Sequence, residues 1–143
     1  MTPDAYSFEL SWRWTQPTHN VLPPEVMAQI TPLARSLVPD GLMVRDQLNR
    51  PLFEEIRSFP ADSSMEEVGA CLRQLPIAQT ERVAVRWDER TAVETTWEIF
   101  AQYWDDFCYP SSDDVEIFPA SAPWILVYHH YELFEWGLRR QFD

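Results

Sequence analysis

The stretch Thr91-Ala-Val-Glu94-Thr-Thr-Trp97-Glu-Ile-Phe100-Ala-Gln-Tyr-Trp104-Asp-Asp-Phe107 decides how this chain is expected to fold. Val93, Trp97, Phe100, Ala101, Trp104 and Phe107 recur at spacings of three and four. That spacing places them on one face of a helix, predicted here over Ala92–Phe107. Thr91 and Glu94 have the spacing of a capping box at its start. Downstream, Val115–Phe118, Ile125–Tyr128 and Leu133–Trp136 are short apolar or alternating runs bounded by turn residues, with Gly137 taken as the end of the last. They predict a three-stranded antiparallel meander. The helix is expected to lie across that sheet with the Trp97–Trp104 stripe inward.

Upstream, Phe8, Leu10, Trp12 and Trp14 alternate with polar residues and predict a strand. Pro17, Pro23 and Pro24 make the next segment a loop. A helix is expected from about Pro24, with Pro32 opening a new turn that carries the apolar face to Val38, before Pro39-Asp40-Gly41. Residues 42–60 fit either a short helix or an irregular covering segment. Ser63 and Glu66 form a second capping-box pair, and Met65, Val68, Cys71, Leu72 and Leu75 continue as a helix that Pro76 stops. Val83, Val85 and Trp87 alternate as a strand. The order predicts an α+β fold, helices packed on a mostly antiparallel sheet, in one domain over residues 1–143. Most of the seven Trp are expected in the core, with Trp124 and Trp136, at strand ends, partly exposed.

The charge is one-sided. The chain carries 23 acids and 11 basic residues, all of them Arg, for a net charge of −12. Residues 88–143 hold a balance of −9 and residues 1–87 only −3. Such a surface repels phosphate backbones and anionic membranes, so neither nucleic acid nor a membrane is expected as a partner. It attracts a basic protein and speeds the encounter. The plain alternative is that acidity keeps a Trp-rich chain soluble. No apolar run approaches a membrane span, and the first residues carry no basic cluster of a secretory signal. Cys71 and Cys108 sit in no motif and are expected as reduced thiols of a cytoplasmic protein.

Few residues suggest chemistry. With only three Gly, no phosphate-cradling loop is present, and no cofactor is expected. His129-His130-Tyr131-Glu132 is the sharpest metal candidate. On an extended strand His130 and Glu132 would share one face and His129 the other, with Asp113 or Asp114 close enough in sequence to contribute. The spacing matches no metal motif, and hairpin-turn residues are the simpler account, so no metal site is assigned. A Cys108–His nucleophile pair has no sequence support, and no catalytic residue is assigned.

The acids near the aromatic stripe are more informative. On a continuous helix Glu94 and Glu98 would be a like-charged pair one turn apart, and Asp105 and Asp106 would sit at the C-terminal end. Both placements oppose helix energetics. Either Arg from a neighbouring element pairs with these acids, or a basic partner meets them. Glu94, Glu98, Asp105, Asp106, Asp113 and Asp114 are therefore the candidate partner-binding residues, with Tyr109 and Trp124 as candidate aromatic anchors.

The segment Glu94–Phe107 resembles a TTWxxFxxxWxxF helix of small uncharacterised bacterial proteins in which a terminal antiparallel sheet follows, and the likeness extends to Ser7–Leu33 and the end of the chain. In size and charge the chain is also similar to immunity proteins of bacterial toxin systems. That resemblance implies a non-catalytic protein that neutralises a basic toxin or effector by direct binding. The alternative is a small metal-binding protein or metal-dependent enzyme built on His129–Glu132.

Overall fold

The computed structural model describes residues 24–32, 43–44, 47–87, 92–108, 114–119 and 123–140. The expected strand at Phe8–Trp14, the helix beyond Pro32, the capping residue Thr91, the loop around Pro110 and the candidates Tyr109 and Asp113 lie outside these residues.

Among the described residues the dominant element is an antiparallel sheet. Its strands are β1 (Thr31–Pro32), β4 (Phe53–Pro60), β5 (Arg82–Arg86), β6 (Ala92–Thr96), β7 (Val115–Pro119), β8 (Trp124–His129) and β9 (Leu133–Arg139). Their spatial order is β1-β6-β5-β7-β8-β9-β4. A separate pair, β2 (Met43–Val44) and β3 (Gln47–Leu48), precedes a 3-10 turn at Arg50–Leu52. The helices are α1 (Pro24–Met27), α2 (Met65–Arg73), α3 (Trp97–Gln102) and α4 (Trp104–Phe107). The fold is α+β and mostly sheet, and β7-β8-β9 form the expected C-terminal meander.

The helices cover one face. There Val83, Val85, Val115, Ile117, Leu126, Tyr128, Phe134 and Trp136 meet Val68, Leu72, Trp97, Phe100, Trp104 and Phe107 in one buried cluster. The aromatic stripe docks as expected: Trp97 meets Trp124 edge-on at 5.7 Å between centroids, and Trp104 meets Phe134 likewise at 5.7 Å. Edge-to-face geometry suits the ring quadrupoles. Buried indole N–H groups need acceptors, and two find backbone carbonyls. Trp104 Nε1 donates to Met65 O at 3.1 Å and Trp87 Nε1 to Phe107 O at 2.7 Å.

The opposite face carries a smaller cluster, in which Leu48 and Phe53 cover Ile125 and Val127. Because both faces of β8 are covered, all six of its residues are buried. Trp124 and Trp136, expected partly exposed, are therefore core residues at 6% and 1% exposure.

Further expectations are corrected. The helix predicted over 92–107 begins only at Trp97, because Ala92–Thr96 is strand β6, paired along β5 from Arg82↔Thr96 to Arg86↔Ala92. Val93, Thr95 and Thr96 are β-branched and favour the pleated conformation. The helix cap is Thr96, whose hydroxyl accepts from Ile99 N at 3.3 Å. Pro32 belongs to a short strand on β6, not to a helical turn.

Residues 53–60, left between helix and irregular cover, form the eight-residue strand β4 on β9. Its alternation is obscured by a bulge between Phe53 and Glu55, which puts two residues opposite one. Gly137 does not end the last strand, which runs to Arg139. A Cβ there would lie 2.5 Å from Phe53 Cδ1 and 2.7 Å from Leu48 Cδ1, so the residue is small to let the cover close. The cap of α2 is Ser64, accepting from Glu67 N, one residue later than the expected Ser63–Glu66 box.

Candidate functional site

Three chain segments converge where the helical layer meets the β8–β9 turn. The first follows β4: Ala61 N donates to Glu132 O at 2.8 Å, pinning the Ala61–Ser64 link to that turn. The second is α4, fixed to the start of α2 by the Trp104 indole on Met65 O. The third is the turn itself, closed by Glu132 N on His129 O at 2.9 Å, with Glu132 at φ 63°. That left-handed conformation is uncommon for a residue with a Cβ.

Between these segments lies a cleft of about 300 Å³. Its apolar lining includes Trp104, Tyr128, Cys108 and Met65, and its carboxylates are Asp62, Asp105 and Glu132. Among the described residues no Arg or His contributes to the lining. Met65, at 45% exposure, is one of the two large apolar side chains most open to solvent among the described residues. Next to Asp105 in the chain, Asp106 is buried, and burial first, then the neighbouring Asp105 charge, pushes its carboxyl up to about 6. The arrangement offers carboxylate acceptors around an apolar floor. A guanidinium or ammonium on an aliphatic stem suits both parts of it.

The candidate acids separate. Glu94, on β6 and not on a helix, is held by Arg82 across the strand pair at 2.7 Å, so it forms no one-turn pair with Glu98. Glu98 is exposed on α3, away from the cleft, beside Gln79 and Gln102. Asp105 lines the cleft and Asp106 is buried, both in the first turn of the short helix α4 rather than at the end of a long one. Asp114 Oδ1 accepts from the His130 backbone N and faces its Nδ1, both at 3.0 Å. Burial raises the Asp114 carboxyl, but those bonds and the charges of His130 and His129 outweigh it and hold the group below its usual range. Trp124 is buried against Trp97 and is no surface anchor.

The residues of the metal reading do not converge. His129 is buried, its Nε2 3.4 Å from Glu135 Oε1, while Arg50 approaches the other oxygen of Glu135 at 3.6 Å and Leu48 N donates to Oε1 at 3.1 Å. His130 faces Asp114, and Glu132 turns to the cleft. Residues 130–132 form a turn, so the strand alternation that would have aligned His130 with Glu132 does not apply. Among the described residues no group of three or more His, Cys, Asp or Glu is placed to hold a metal ion. Both cysteines are free thiols, Cys108 buried at the end of α4.

Asp62, Met65 and Tyr128 were not singled out from the sequence. Their shared site comes from strand order, one main-chain bond (Ala61 N to Glu132 O) and one side-to-main-chain bond (Trp104 Nε1 to Met65 O), which leave no local pattern. Among the described residues no helix is long and apolar enough to cross a membrane. No protein-family model, curated protein or solved structure matches this chain.

Proposed function

We propose that this chain is a protein-binding protein that captures a basic side chain of its partner in the cleft of Asp62, Asp105 and Glu132. The observation that carries the reading is the lining itself: three carboxylates from three separate segments around the apolar surface of Trp104, Tyr128 and Met65. The net charge of −12 supplies long-range attraction, and the cleft supplies the short-range seat. The resemblance in size and charge to bacterial immunity proteins makes a basic toxin or effector in the cytoplasm the partner class. The protein acts there by occlusion, without catalysis and without a cofactor.

The test is a titration with an arginine-rich peptide. Asp105→Asn and Glu132→Gln are each expected to weaken binding about 5- to 30-fold, the range of one charged hydrogen bond of roughly 1–2 kcal/mol. Glu94→Gln is expected to change it less than twofold, because Arg82 already occupies that carboxylate. Equal losses from all three substitutions would mean a diffuse charge effect and no seat.

A further inference from the structure

Among the described residues strand β4 is the outermost strand of the sheet, and its only strand partner is β9. It runs Phe53-Glu-Glu-Ile-Arg-Ser-Phe-Pro60. Its side chains remain open: Glu54, Arg57, Ser58 and Pro60 are exposed, and Glu55, Ile56 and Phe59 are half-buried. An outer strand of this length presents a row of main-chain donors and acceptors that another strand can continue.

We propose that β4 pairs antiparallel with β4 of a second copy, in the single register centred on Ile56. Symmetry restricts the choice. In a continuous sheet closed by a two-fold axis normal to it, each face maps onto itself, while residues directly opposite must share a face. Residues one apart lie on opposite faces, so the axis has to pass through a residue.

Centring on Glu55 or Arg57 would set that charge against its own copy, and centring on Ser58 would set Arg57 against Phe59. Centring on Ile56 sets Glu55 opposite Arg57 twice and Ile56 opposite itself, all within the regular stretch after the bulge. Within one chain Glu55 and Arg57 already pair on the same side of the strand, with Arg57 also 5.2 Å from the Trp136 ring centroid. The two side chains are therefore positioned to exchange partners across the axis.

Charges on an outer strand ordinarily discourage pairing. Here they repel in the registers centred on Glu55 and Arg57 and attract in the one centred on Ile56, which makes the contact selective. Two chains of −12 repel at a distance, but salt screens that beyond about 8 Å at physiological ionic strength. The cross-strand pairs act inside that range.

The test uses the full chain. Sedimentation equilibrium is expected to show a monomer–dimer equilibrium. Glu55→Arg and Arg57→Glu should each weaken it about tenfold or more, and the double reversal should restore it. A second test stands apart from charge. In this register Ile56→Cys places two thiols opposite each other, within disulfide reach, and should cross-link on oxidation. Ser58→Cys should not, the wild type reporting any background from Cys71. A chain monomeric to about 1 mM, where association would be weaker than roughly 4 kcal/mol, overturns the proposal. So does a dimer indifferent to both single reversals, or Ser58→Cys linking as readily as Ile56→Cys.

Discussion

The acids of the strands and the acids of the cleft are the same residue types in two electrostatic settings. On the strands three have an Arg from their own chain: Arg82 holds Glu94, Arg57 holds Glu55, and Arg50 approaches buried Glu135. Around the cleft, Asp62, Asp105 and Glu132 stand beside aromatic and thioether surface, and no Arg is among the described lining residues. The first set closes the fold upon itself. The second places carboxylates beside apolar surface, the combination on which the proposed capture of a basic side chain rests. An overall charge of −12 does not distinguish these sets; their neighbours do.

The largest effect should come from removing the floor that the cleft shares with the core. Trp104→Ala deletes a buried ring that meets Phe134 and donates to Met65 O, and should cost about 3–5 kcal/mol in urea unfolding. A loss under about 1 kcal/mol would mean that the stripe is not seated on the sheet. Next is the strand set. Glu135→Ala strands the Leu48 N–H and His129 beneath the Leu48–Phe53 cover, and should cost about 1–3 kcal/mol. Exchange of the Leu48 amide should quicken in the same variant.

Asp106 connects the two settings through pH. Its carboxyl titrates near 6 in the folded chain, above its value in the unfolded chain. The folded state therefore holds this proton more tightly, and the group's contribution to stability rises as pH falls through about 6 toward the ordinary carboxylate range. Above pH 6 burial of the charge opposes folding. Asp106→Asn should accordingly raise the melting temperature at pH 8 and leave it nearly unchanged at pH 4.5. A variant less stable than the wild type at both values would show that the carboxylate is held by compensating contacts.

The smallest stability effects sharpen the comparison most. Glu94→Gln should cost up to about 1 kcal/mol through its half-exposed pair with Arg82. Asp105→Asn should stay within about 0.5 kcal/mol or stabilise, since it also relieves the charge beside Asp106. Thermal melts of the pair give the order directly. If Asp105→Asn is the more damaging, Asp105 belongs to the fold-closing set.

The sequence showed the meander and the inward stripe because Trp97, Phe100, Trp104 and Phe107 keep helical spacing on both sides of the break at Tyr103. It misled at Ala92–Thr96 because Val93 falls in phase with that stripe while its strand pairing with β5 is a long-range fact. Strand β4 was hidden by its bulge, and Gly137 looked like a terminator because the close approach of Phe53 and Leu48 is invisible locally. Of the candidate site, Asp105 was legible as an acid beside the stripe. Asp62 and Glu132 join it through the Ala61–Glu132 main-chain bond, which no spacing announces.

The most direct test of the cleft as a seat for a basic side chain is backbone amide chemical-shift mapping during titration with a hexa-arginine peptide. The account predicts that the largest perturbations fall on residues 61–65, 104–108 and 128–132, and that Asp105→Asn together with Glu132→Gln abolishes them while Glu94→Gln does not. Perturbations spread evenly over the exposed acids, or centred on Glu98 and unchanged by those substitutions, would contradict it.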